Sequence, residues 1–81
     1  MVKIIISAAM GAPLQKFFDN FSDDKIKSCT FESKKGIQMF YNVETDLDPE
    51  TCANYMKSAF RKGDPNASAM FFSIQPQGFF G

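Results

Sequence analysis

A small α+β domain with the element order β-α-β-β-α-β is what this chain predicts, on three observations. Apolar residues recur at every second position, then at helical spacing, then twice more at every second position around Lys34-Lys35-Gly36, then helically, and finally at every second position again. Each helical stretch opens with a proline, Pro13 or Pro49, at a position where a missing N–H leaves no bond unmade. The chain has 81 residues, which suffices for one core and leaves no room for a second. The expected organisation is therefore a single domain over residues 1–81, with 76–81 as a short aromatic tail.

The first strand is expected over about Val2 to Ala8. Apolar residues on both of its faces, Val2, Ile4 and Ile6 against Ile5, mark it as a central strand. Leu14, Phe17, Phe18 and Phe21 follow at i, i+3, i+4 and i+7, which predicts one apolar helical stripe. Ile26 to Ser33 resumes the alternation with Cys29 and Phe31 on one side, and its polarity places it at a sheet edge. Lys34-Lys35-Gly36 is the expected hairpin turn, with Gly36 supplying a positive φ. The next strand, Ile37 to Glu44, puts Ile37, Met39, Tyr41 and Val43 toward the core and Gln38, Phe40 and Asn42 away from it.

The second helix carries the clearest signals. Asp48 is an N-cap, Pro49 is the first helical residue, Glu50 sits in the first turn, and Arg61 and Lys62 precede Gly63. Cys52, Tyr55, Met56, Ala59 and Phe60 form its buried stripe. Ala69 to Gln75 is expected as the last strand, with Met70, Phe72 and Ile74 opposite Phe71, Ser73 and Gln75.

This succession resembles the split βαβ, ferredoxin-like α/β plait. The resemblance implies an antiparallel four-stranded sheet in the order 4-1-3-2, two right-handed crossovers, and both helices on one face. The other face is then open, and alternation sets Ile5, Phe40 and Phe71 on it within a margin of Lys3, Ser7, Ser28, Thr30, Gln38, Asn42, Ser73 and Gln75. An apolar centre with a polar rim is the composition of an interaction surface. Partner-binding residues are accordingly expected at Ile5, Phe40 and Phe71, joined by Phe79 and Phe80 of the tail, which alternatively fold back over the same face. The expected function is a non-catalytic binding or assembly module that joins a second copy or another protein.

Two further readings compete. The loop from Ser7 to Pro13 lies after a strand and before a helix, where backbone N–H groups favour anions. Its Gly11-Ala12-Pro13-Leu14 run is similar to the Pro-Gly-x-Leu stretch of ACT domains, with Pro and Gly reversed. That resemblance implies small-ligand sensing, with Met10, Gly11 and Ala12 holding a small anionic ligand. Lys35-Gly36-Ile37-Gln38-Met39-Phe40-Tyr41 resembles the third-strand signature of RNA recognition motifs, but Ile37 and Met39 stand where stacking aromatics belong. Nine basic and nine acidic residues cancel as well, so no field gathers phosphates, and nucleic acid is not the expected partner.

Catalysis and metal binding find little footing. The chain has no His, and its carboxylates fall in loops and at a helix start, where capping accounts for them. The plait-shaped acylphosphatases use an arginine after the first strand, whereas the one arginine here, Arg61, lies late in the second helix. Cys29 and Cys52 have no paired spacing, so no metal and no cofactor are expected, and both thiols should be buried and reduced. No run approaches the ~20 apolar residues of a membrane span. The apolar run at the start is too short for a signal peptide, which makes the expected location cytoplasmic.

Overall fold

The computed structural model describes residues 2–65 and 67–77. The elements are β1 (Val2–Ala8), α1 (Ala12–Phe18), β2 (Ile26–Lys35), β3 (Gln38–Thr45), α2 (Pro49–Gly63) and β4 (Phe72–Pro76), with a short 3-10 turn at Ala67–Ala69. The strands form one open antiparallel sheet in the order β2-β3-β1-β4, the expected 4-1-3-2 read from the other edge. β1 is central, as its two apolar faces required.

One face of the sheet carries the core. Val2, Ile4 and Ile6 of β1 stand opposite Val43, Tyr41 and Met39 of β3, and all six are buried. Leu14 and Phe18 of α1 and Cys52, Ala53, Met56 and Phe60 of α2 close over them, so both helices serve this face. An aromatic cluster ties the helices together: Phe17 meets Phe18, Phe21 and Phe60 at centroid separations of 4.9, 5.3 and 5.4 Å. Such pairs add about 0.5–1.5 kcal/mol each beyond the area they bury.

α2 starts where expected and runs one residue further, through Gly63. The Asp48 carboxylate accepts from Thr51 N at 3.2 Å, hydrogen bonding from the Thr51 side chain and then its backbone holds the carboxyl below its ordinary value, and Pro49 takes the first helical position. α1 is shorter than its stripe suggested. It ends at Phe18 because Asn20 turns left-handed at φ 61°, and Phe21 packs on Phe17 and Phe18 from the turn rather than from the helix.

Three boundaries depart from expectation. The β2–β3 hairpin turns on Gly36-Ile37, since Lys35 pairs with Gln38. Gly36 has φ 63° as the first central residue, the arrangement a type II′ turn demands, and Ile37 sits at the tip instead of in the core. The stretch expected to start β4 winds into the Ala67–Ala69 turn, where Met70 N donates to Ala67 O at 3.1 Å, so the strand begins only at Phe72. Finally, β2 slips register twice against β3, at Lys27 and at Glu32. These bulges keep Ile26, Cys29 and Phe31 on the core side but turn Ser33 to the opposite face, beside Phe40.

Candidate functional site

Ile5 and Phe40 are directly opposed on the helix-free face, one on β1 and one on β3. Neither belongs to the core cluster nor packs against it, and both are half-buried by their own neighbours. Reading across the sheet, the row is Ser33, Phe40, Ile5, Gln75. Along the strands, Ser7 and Gln38 lie on one side of the pair and Lys3 and Asn42 on the other. Asn42 Nδ2 donates to Glu32 Oε1 at 2.8 Å, and Lys3 Nζ approaches the same oxygen at 3.8 Å. Glu32, on the same alternation as Ser28 and Thr30, thus joins the polar rim, and the bulge there adds Ser33, which alternation alone placed on the core side. Such exposed ion pairs are worth well under 1 kcal/mol, so the rim shapes the surface more than it stabilises the fold.

Phe71 is not on that face. Pairing between β1 and β4 stops at Ala8 and Phe72, which leaves Phe71 beyond the last rung. Phe72 packs against the core, and Phe71 is exposed. Phe71 instead lines a small apolar cleft with Ala9, Met10, Ala69 and Met70 at the end of β1. Among the described residues the exposed large hydrophobic side chains are Phe71 at 95%, Met10 at 70% and Ile37 at 60% exposure. Ile37 borders the same end of the sheet, where its carbonyl accepts from Ala8 N at 3.1 Å. Phe79 and Phe80 lie outside the described residues.

The first loop offers an anion little. Gly11 has a negative φ, and a Cβ there would stand 3.3 Å from Met39 Cε, so tight packing on the core accounts for the glycine. No side chain caps α1, a helix of only seven residues, and Met10 and Ala12 stand exposed to either side of Gly11.

Elsewhere the titratable groups serve structure. Burial raises Asp23, but hydrogen bonds from Tyr55 Oη at 2.6 Å and from Lys25 and Ile26 N–H outweigh it and hold the carboxyl below its ordinary value. The same bond raises Tyr55. Cys29 and Cys52 are free and buried, and burial lifts their thiols to about 12 and about 11. Buried Tyr41 is also raised, foremost by burial, and its hydroxyl has no hydrogen-bond partner among the described residues. Among those residues no three His, Cys, Asp or Glu side chains gather as metal ligands, and no helix is long and apolar enough to cross a membrane. Comparison with protein-family models, with curated proteins and with solved structures finds no match to this chain.

Proposed function

We propose that this chain is a non-catalytic binding and assembly module on the ferredoxin-like plan, which joins a second copy or a protein partner through its open sheet face. The observation that carries this reading is the Ile5–Phe40 pair, opposed across two central strands, outside the core and ringed by Lys3, Ser7, Ser33, Gln38, Asn42 and Gln75. An apolar centre inside a polar rim is how recognition surfaces concentrate their affinity. Two reduced, buried thiols suit a reducing compartment such as the cytoplasm.

Phe40→Glu tests the reading because it places a charge at the centre of the face without entering the core. Loss of a central aromatic contact costs about 2 kcal/mol or more of association, roughly a thirtyfold weakening. Light scattering on size-exclusion fractions should show the wild-type mass exceeding one chain and the variant's falling to one, with unchanged circular dichroism. A wild type that stays a single chain, with the variant's hydrodynamic size, ends the self-association form.

A further inference from the structure

The cleft at the end of β1 is separate from the Ile5–Phe40 face, and it pairs a knob with a hole. Its volume is about 160 Å³, and its walls come from Ala9, Met10, Ala69, Met70 and Phe71. An apolar cavity of about 150 Å³ accommodates benzene, so the cleft has the capacity of one phenyl ring. At its margin stands such a ring: Phe71, 95% exposed. Knob and hole lie on the same patch, which is the requirement for a two-fold pairing in which residue i of one copy meets residue j of the other and the reverse.

Charge favours the same occupant. In a two-fold contact a patch of one charge sign meets itself and repels, so an uncharged patch pairs with its own copy without that opposition. No charged residue occurs from Ile4 to Gln15 or from Ala67 to Gln77, the segments that build the cleft, and Lys34 and Lys35 of the hairpin at the same end lie across β3 and β1 from it. Arg61 borders only the neighbouring groove with Ala67, Ser68 and Met70, its guanidinium 5.8 Å from the centre of the Phe72 ring. Methionines on either side of the cleft, Met10 and Met70, provide flexible walls that mould to an entering ring.

We propose that this cleft is a self-recognition surface, in which Phe71 of one copy inserts between Met10 and Met70 of a second copy and receives that copy's ring in return. Two buried rings contribute roughly 300–500 Å². That is short of the ~1,200 Å² of a stable interface, so the pairing is weak and dissociates between ~10 µM and ~1 mM.

Sedimentation velocity over that range, with methyl NMR of Met10 and Met70, tests the proposal on the wild type, Phe71→Glu and Phe40→Glu. The expected result is a sedimentation coefficient that rises with concentration in the wild type and, starting from the single-chain value, in Phe40→Glu, but that no longer rises over this range in Phe71→Glu, whatever association its intact Ile5–Phe40 face retains. The Met10 and Met70 methyl signals should move with dilution only where association occurs. Phe71 is almost wholly solvated, so its replacement leaves the melting temperature unchanged and loss of folding does not confuse the outcome. A wild type that remains a single chain at ~1 mM overturns the proposal, even where added phenol moves the methyl signals. Association that survives Phe71→Glu and disappears in Phe40→Glu overturns it too, and assigns self-pairing to the open sheet face instead.

Discussion

Replacing Tyr41 by Phe should stabilise the protein, although Tyr41 is the largest of its fully buried side chains. The ring lies between Phe18 and Phe31, with centroids 6.5 and 5.6 Å away, and Phe keeps both contacts. What changes is the hydroxyl, which loses its water on folding and gains no hydrogen bond from the described residues. An unpaired buried hydroxyl costs about 1–3 kcal/mol. The vacated oxygen leaves a void smaller than a methyl group, a loss below ~1 kcal/mol. The net expectation is a gain of about 0.5–2 kcal/mol, and each kcal/mol raises the melting temperature of a domain this size by roughly 4–8 °C. Urea unfolding followed by far-ultraviolet circular dichroism, with both proteins fitted to a shared m-value, measures it directly. A midpoint lower for Tyr41→Phe than for the wild type would show that the hydroxyl is bonded in solution, and the reasoning would fail.

Alkaline pH should destabilise the fold through the cysteines. Burial lifts Cys29 and Cys52 from 9.0 to about 12 and about 11, so the folded state keeps protons that the unfolded chain releases. Stability is therefore undiminished below pH 9 and falls as pH rises from 9 toward 11, which unfolding midpoints at stepped pH will follow; a flat profile, or rapid thiol alkylation of the native protein at pH 8, refutes it. Gly63→Ala should cost about 1–3 kcal/mol, because the new Cβ would stand 2.5 Å from Phe17 Cε1 and force that ring out of its aromatic cluster. A thermal midpoint within 2 °C of wild type, as an order of magnitude, would mean that Phe17 yields without loss.

How much of this was legible in the sequence follows from the length and strength of each signal. α2 has a cap, a proline, an acidic first turn and a basic last turn that all agree, and the observed helix, Pro49–Gly63, begins where they place it and takes in Gly63, which was expected to follow it. The central place of β1 followed from apolar residues on both faces, and the edge place of β2 from its polarity. Ile37 was misplaced because a hydrophobic side chain next to a glycine continues the alternation on paper, whereas the hairpin needs two residues at its tip and takes Gly36 and Ile37. Phe71 was misplaced because Ala69, Met70 and Phe71 look like strand, while the return from α2 is made through the Ala67–Ala69 turn and consumes those rungs. The bulge at Glu32 carries no composition signal. Alternation already sets Glu32 beside Ser28 and Thr30, and only the pairing reveals that Ser33 also edges the Ile5–Phe40 pair.

The two edges of the sheet argue for the way this protein would make contacts. β2, the outer strand on one side, is interrupted by bulges at Lys27 and Glu32 and ends in Lys34 and Lys35, devices that stop another strand from adding to its ladder. β4, the outer strand on the other side, has five residues and closes on Pro76, which has no N–H to donate. Backbone pairing with a partner is thus discouraged on both flanks, and on the proposed reading recognition falls to side chains. Their distribution is lopsided: apart from Lys3 every charge of the chain lies between Lys16 and Lys35 or between Glu44 and Asp64, so β1 and β4 form an almost uncharged half of the sheet. Ile5 and the Phe71 cleft both belong to that half, one at its middle and one at its end. A chain that guards its edges and, Lys3 apart, keeps its charges on β2, the far end of β3, the helices and the loops leaves this half of the sheet as the surface where burial of apolar area meets the least electrostatic opposition.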